Sequence, residues 1–456
     1  MGEFYHSVTL DSSRCKGCIN CIKRCPTEAI RVRNGKAYII SERCIDCGEC
    51  IRVCPHHAKK AVFDPLSSID RYKWKIALPA PAIYGQFNNL DNIDKVLTAL
   101  KKIGFDDIYE VSSAAEIISE CTRRMMLAGL VQKPVISSAC PAVTRLIRVR
   151  FPNLCRNVLP LLAPIELAAR TAKEEAAEKT GLKPEEIGVF FISPCPAKVT
   201  YAKSPLGIKK SAVDHVLSIG DIYPKIVGII KHMKNPEALS KSGIIGVGWA
   251  GSGGESSALL SEKYLAADGI ENVIKVLEEL EDEKLGEIDF IELNACSGGC
   301  VGGVLTVENP YVAKARIHRL RKYLPVAMNH LEGDVPASIL WNIPLEYVPV
   351  MKLDQDVSAA MKKMIEIDSL AENLPGLDCG SCGAPSCRAF SEDVVRGMAT
   401  EGDCVFKLRE RIHKLVDELS ELEGYVPPPF RKSESDGGQK NGDVSSNQGK
   451  DVTHDG

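Results

Sequence analysis

Apolar and polar positions from residue 74 onward follow two alternating rhythms. Short apolar, largely β-branched runs (KIALPAP, DIYEVS, PVISSAC, GVFFISPC and DFIELNAC) are bounded by Pro, Gly, Ser or charged residues and predict buried strands. Between them, NIDKVLTALKKIG, SAAEIISECTRRMMLAGLV and DGIENVIKVLEELEDE place apolar residues at helical spacing. Strand and helix in alternation predict parallel sheets covered by helices. SSALLSEKYLAA also reads as helical. Further on, LRERIHKLVDELSELEG spaces Leu408, Ile412, Leu415, Leu419 and Leu422 near a heptad repeat, which suits a docking or dimer face at residues 406–424.

The rhythm divides the chain into three regions and a tail. Residues 1–70 hold a dense cysteine pattern and close on the turn-rich FDPLSSID. Residues 71–365 carry the strand–helix alternation. Residues 366–424 hold a further cysteine segment and the charged helix. Residues 425–456 offer almost nothing to bury, so a disordered tail is expected. With 456 residues, 45% apolar and 26% charged, the chain can bury a large core. A net charge of −3 gives no reason to expect nucleic acid or an anionic membrane as partner. No apolar run has signal-peptide or membrane-spanning character, so a cytoplasmic protein is expected. Eighteen cysteines in such a chain imply reduced, metal-bound thiols and an anaerobic life.

Four cysteines close the predicted strands: Cys140 after PVISSA, Cys195 after GVFFISP, and Cys296 and Cys300 after DFIELNA. Ligand sites of α/β sheets gather beyond the carboxyl ends of their strands. Three strand ends can therefore aim four thiolates at one point, where they would hold an iron–sulfur cluster or zinc.

The N-terminal region reads CKGCINCIKRCP from Cys15 and CIDCGECIRVCP from Cys44. This is the CxxCxxCxxxCP spacing of bacterial ferredoxins, written twice, in which the fourth cysteine of each run serves the other run's cluster. One 4Fe–4S cube would use Cys15, Cys18, Cys21 and Cys54, the other Cys44, Cys47, Cys50 and Cys25. Gly17 and Gly48 would let the backbone approach the inorganic sulfurs. Zinc modules use paired CxxC motifs, which this triple run does not resemble. The C-terminal segment places Cys379, Cys382, Cys387 and Cys404 around glycine-rich turns. That spacing fits either a fourth cube or a structural zinc; its resemblance to the iron–sulfur segment of corrinoid iron–sulfur proteins favours iron.

SSACPAV at 137–143, SPCPAK at 193–198 and ELNACSGGCVGG at 292–303 resemble, in order, the three signature loops of FeFe hydrogenases. The resemblance implies an α/β domain with parallel sheets that holds an H-cluster, a 4Fe–4S cube joined to a di-iron unit. Added to it are a ferredoxin-like α+β module and the C-terminal 4Fe–4S segment. By position, Cys140, Cys195, Cys296 and Cys300 would be the four ligands, Cys300 the bridge, and Lys198 the lysine that binds a cyanide. The family's first loop carries a proton-relaying cysteine where this chain has Ala139, which has no proton to pass. Ser193, Tyr201 and Asn294 also depart from the family pattern. The departures resemble those of the sensory FeFe hydrogenases, here with a polar tail in place of a PAS domain.

The expected function is slow activation of H2 to protons and electrons, as a sensor of hydrogen or redox poise. A catalytic subunit of a larger electron-transfer complex is the alternative, and a non-catalytic hydrogenase-like iron–sulfur protein a third. Expected partners are an electron-transfer or signalling protein and the H-cluster maturation enzymes. Other signals have plainer readings. Gly246, Gly248 and Gly251 spell GxGxxG, but a helix follows where a dinucleotide site needs a strand ending in an acid. Cys121 and Cys155 lack spaced partners and read as small packed residues. His56 and His57 read as surface residues of their loop.

Overall fold

The computed structural model describes residues 5–423, 425 and 427–430. The chain divides into two compact units, residues 1–400 and 401–456. Within the first, the ferredoxin-like region forms two short antiparallel ribbons. β1 (Val8–Leu10) pairs with a strand at Lys59–Ala61, and β2 (Ile30–Arg33) pairs with β3 (Lys36–Ile39); the Lys59–Ala61 strand is β4. Each half has a four-residue helix, Asn20–Lys23 and Glu49–Arg52, that carries its third cysteine, Cys21 or Cys50.

Two parallel sheets follow. The strands in chain order are β5 (Trp74–Pro79), β6 (Asp107–Ile108), β7 (Val135–Ile136), β8 (Ile187–Ser193), β9 (His215–Ser218), β10 (Tyr264–Asp268) and β11 (Phe290–Asn294). One sheet has the order β6-β5-β8-β9 and the other β10-β11-β7, parallel throughout. Parallel sheets are buried on both faces. β8 accordingly carries Ile187, Val189, Phe190, Phe191 and Ile192 with no exposed surface. One apolar cluster gathers Ala77, Phe190 and Leu217 beneath the helices Asp94–Lys102 and Ile219–His232. Another gathers Leu78, Val189 and Phe191 beneath the helix Pro164–Thr180.

The strand ends match the expected positions, with three differences in the elements. DIYEVS forms strand only at Asp107–Ile108, because the helix Val111–Leu127 already begins within it. SSALLSEKYLAA is not one helix. It is the end of a short helix, Gly254–Ala258, followed by β10, which pairs with β11 along its whole length. The pairing edge offered by β11 overrides local helix propensity there. Finally, SGIIGVG, which carries the first two glycines of GxGxxG, includes the helix Ile244–Gly248, so those glycines do not follow a strand as a nucleotide-binding fingerprint would.

Residues 366–400 pack on the ferredoxin-like region. Val32 N donates to Gly383 O (2.9 Å), Arg33 to Cys382 O (2.7 Å) and Lys23 Nζ to Pro385 O (3.0 Å). Asp393 and Arg31, both fully buried, form an ion pair at 2.7 Å, joined by Arg33 at 2.7 Å. In the second unit the helix Val405–Glu423 leaves Leu408, Ile412, Leu415, Leu419 and Leu422 exposed. Of the tail, residues 426 and 431–456 lie outside the described residues. No helix among the described residues is long and apolar enough to cross a membrane.

Candidate metal centre

The three loops after β7, β8 and β11 converge. Cys140 and Cys195 each stand immediately before a helix whose first residue is proline, Pro141–Arg150 and Pro196–Lys203. Proline suits that first position, and the positive end of the helix dipole favours a thiolate ahead of it. Cys296 and Cys300 follow β11, the neighbour of β7, so their loops leave from the same sheet end. Leu305 N donates to Pro194 O at 2.9 Å, which ties the third loop to the second. The four sulfurs interact electrostatically. Burial and then the charges of Cys300 and Cys140 push the Cys195 thiol up to about 11. Cys296 rises further, by burial and then by Cys195 and Cys140.

Beside Cys300 lies a cavity of about 50 Å³, lined by Ala139, Lys198, Glu255, Glu292, Asn294 and Cys300 among apolar residues. Lys198 Nζ stands 3.5 Å from Cys300 Sγ. Burial disfavours the ammonium, but the thiolates of Cys300, Cys195 and Cys140 outweigh it and hold Lys198 above the ordinary lysine range. Lys198 is thus a fixed cation in a nearly closed cavity, placed to meet an anionic ligand.

Two acids line this cavity: Glu292, which opens ELNACSGGCVGG, and Glu255, which ends SGGE at 252–255, a stretch that resembles the glycine-rich segment lining the FeFe-hydrogenase pocket. Glu292 sits inside β11 at 3% exposure and is pinned by three donors: Gly253 N (2.9 Å), Ser256 N (2.8 Å) and Asn294 Nδ2 (2.8 Å). Glu255 receives one hydrogen bond, from Ser137 Oγ at 2.6 Å. The same Ser137 Oγ accepts from the backbone N of Ala139 at 3.1 Å. Burial, then the charge of Glu292, hold Glu255 well above the usual carboxylate range. Burial raises Glu292 as well, but several hydrogen-bond donors oppose the rise there and only Ser137 opposes it by hydrogen bonding at Glu255, so protonation is favoured at Glu255. A carboxyl group whose protonated form is favoured therefore stands one serine away from the position where Ala139 lacks a thiol. The sequence signal was an acid within an apolar strand, which periodicity alone reads as a strand edge.

The remaining departures also have places. Ser193 Oγ donates to Cys195 O (2.9 Å) and accepts from Cys195 N (3.2 Å), so it braces its own loop. Tyr201 is buried, and burial and then Glu166 hold its phenol above the ordinary tyrosine range. Asn294 lines the cavity and orients Glu292.

In the ferredoxin-like region the structure brings Cys15, Cys18, Cys21 and Cys54 around one small cavity and Cys25, Cys44, Cys47 and Cys50 around another. Each run of three is thus completed by the last cysteine of the other run. Burial, then neighbouring charges, push Cys50 up to about 12 and Cys21 to about 11. Gly17 and Gly48, at φ of +70° and +80°, serve protein packing: a Cβ there would meet Gly35 O at 2.5 Å and Val304 at 2.7 Å. The second group faces the strand-end quartet. Cys47 shares an apolar cluster with Cys140 and Cys195, and Arg52 donates to Gly302 O at 2.8 Å. His56 is half-buried on the first cavity, whereas His57 is exposed. Cys121 is fully buried and Cys155 half-buried, neither within these groups. Cys379, Cys382 and Cys387 lie on one loop, closed where Asp378 accepts from Cys387 N at 2.6 Å. Cys404 belongs to the second unit.

The donor sets fit clusters better than single ions. In neither ferredoxin-like group, nor in the strand-end quartet, do three sulfurs lie within 4.8 Å of one another. Four thiolates on one zinc, at about 2.3 Å each, would stand about 3.8 Å apart. A wider cage fits a cluster that gives each cysteine its own iron.

These features define an iron–sulfur protein whose principal centre lies at the carboxyl ends of parallel strands. The family "Iron only hydrogenase large subunit, C-terminal domain" matches residues 73–304, just over half of the chain. The chain belongs to the FeFe, or iron-only, hydrogenase family. "4Fe-4S dicluster domain" matches residues 7–55 and "Putative Fe-S cluster" residues 374–406. The chain is 30% identical to the periplasmic [Fe] hydrogenase large subunit of Nitratidesulfovibrio vulgaris over 212 residues, 42% of this chain and 50% of that one. It is 24% identical to iron hydrogenase 1 of Clostridium pasteurianum over 378 residues, 65% and 64% of the two chains. The chain therefore spans about half to two-thirds of these relatives' length. A solved FeFe-hydrogenase from Chlamydomonas reinhardtii gives a TM-score of 0.44 at 17% identity, covering 58% of this chain and 88% of that one.

Proposed function

We propose that this chain activates H2 slowly at an H-cluster and reports hydrogen or redox poise to a partner protein. Cys140, Cys195, Cys296 and Cys300 would hold the cluster, and the cavity beside Cys300 and Lys198 would receive its di-iron unit. Once bound, the H-cluster supplies the chemistry that interconverts H2 with two protons and two electrons. The chain's residues do the rest. Lys198 offers a fixed cation to an anionic ligand, and the apolar lining excludes bulk water. Ala139 cannot carry a proton, so Glu255 takes that role, held by Ser137 and kept protonated by Glu292.

The observation that carries this proposal is the buried cavity in which Lys198 and Cys300 meet Ala139 and Glu255. It supports a complete binding site with an altered proton path. The same Glu255 is what favours the alternative of a catalytic subunit, and the turnover rate decides between the two. Electrons would pass from the strand-end quartet to the cube at Cys25, Cys44, Cys47 and Cys50, and then to the cube at Cys15, Cys18, Cys21 and Cys54. The segment at Cys379, Cys382 and Cys387, packed on the ferredoxin-like region, would add a second outlet. Four cubes and a di-iron unit amount to about eighteen irons per chain. Infrared spectra of protein matured without oxygen should show metal-bound CO and cyanide. Cys300→Ser should abolish those bands while sparing the ferredoxin signals. Their absence from matured wild type would leave only a non-catalytic iron–sulfur role.

A further inference from the structure

The ferredoxin-like region is an internal repeat whose halves differ at one buried position. CPTEA, from Cys25, leads into Ile30; CPHHA, from Cys54, leads into Lys59. Each of these residues opens a strand, β2 and β4, and each is only 2% exposed. An apolar side chain satisfies that position, whereas a buried ammonium costs desolvation unless an anion meets it. Among the described residues no group hydrogen-bonds Lys59 Nζ. Lys59 lines the cavity of Cys15, Cys18, Cys21 and Cys54, and its charge acts on Cys21 and Cys54 and, across the repeat, on Cys25 and Cys50. The other cavity carries Ile30 at the matching place, together with the buried carboxylate of Asp46. That carboxylate hydrogen-bonds His6 Nδ1 and Val8 N, both at 2.9 Å.

We propose that Lys59 is the counter-charge of the cube at Cys15, Cys18, Cys21 and Cys54, and that it raises this cube's reduction potential above its neighbour's. The inference rests on the proposal that these eight cysteines hold two 4Fe–4S cubes. A cube bound by four thiolates is anionic and gains a further negative charge on reduction. A buried cation beside it favours the reduced form, and a buried carboxylate beside the other disfavours it. In the transfer one electron leaves the inner cube, which is oxidised, and reaches the outer cube, which is reduced; no bond or proton changes. The inner cube is the one against the strand-end quartet, so electrons released there collect on the outer cube. Lys59 is in this sense a positioning residue for charge, and the outer cube is the state a partner reads.

The test uses the full chain, with cube potentials measured by redox-poised electron paramagnetic resonance and iron content alongside. Lys59→Met and Lys59→Gln remove the charge, and Lys59→Arg keeps it. One ferredoxin-type signal should shift to lower potential in the Met and Gln variants, the other less, with Arg close to wild type. The signal that shifts should be the one Cys18→Ser alters. Loss of that cube from both neutral variants but not from Arg would equally support the counter-charge. The proposal is overturned if neutral variants with wild-type iron keep both potentials, if Arg behaves like Met, or if the other signal moves further. Wild-type protein without two reducible ferredoxin-type signals would instead overturn the assignment of the eight cysteines.

Discussion

Glu255→Gln separates a proton-carrying role from a packing role. Glutamine has nearly the same shape and can still accept from Ser137 Oγ, which lies 2.6 Å from the carboxylate. It has no proton to pass. Among the cavity-lining residues, Glu292 is pinned by three donors and Lys198 is held cationic by the surrounding thiolates. Neither can stand in for Glu255. Losing a general acid or base typically lowers rate about 10²–10⁴-fold, which is roughly 2.7–5.5 kcal/mol in the barrier. We expect hydrogen evolution with a reduced dye to fall by at least about 10²-fold, with the infrared bands of the bound cofactor retained. Stability should move the other way. Burial and Glu292 raise the pKa of Glu255, so the folded chain keeps a proton that the unfolded chain releases above its ordinary value of 4.5. Wild-type stability is therefore highest below that value and declines as pH rises through the raised one. Glutamine removes that decline, and at pH 7 the variant should be more stable than wild type, by an amount on the order of a few kcal/mol. Unchanged turnover with intact infrared bands would refute the proton-carrying role. A fall in both turnover and stability would point to packing alone.

Three further outcomes follow from the same geometry. Ala139→Cys places a thiol next to the Ser137 hydroxyl that Glu255 binds, and should raise turnover through a second carrier; no gain in protein with intact infrared bands would show that Ala139 does not limit the rate. Fast turnover of the wild type itself would remove the physical basis for a sensor. Asp393→Ala strands the fully buried Arg31 and should destabilise the first unit by about 3–5 kcal/mol in denaturant unfolding, with a change below about 0.5 kcal/mol refuting a structural role for that pair.

Much of the architecture was legible in the sequence because local rules decide it. β-branched runs ending at Cys140, Cys195 and Cys296 became parallel strands because only buried pairing satisfies such runs. The doubled CxxCxxCxxxCP run carried its own exchange of fourth cysteines, and the structure groups Cys54 with Cys15 and Cys25 with Cys44. Other features depended on partners far along the chain. SSALLSEKYLAA has helical composition, yet its second half is a strand because β11 offers a pairing edge. Lys59 reads as a surface lysine until the repeat folds it into the core. Glu292 opens ELNACSGGCVGG and Glu255 ends SGGE, 37 residues away; both carboxyls are raised only because folding buries them together away from water. Covalent spacing determined which cysteines could share a site. Burial, which depends on how the sheets and loops pack, decided where charge and protons can reside.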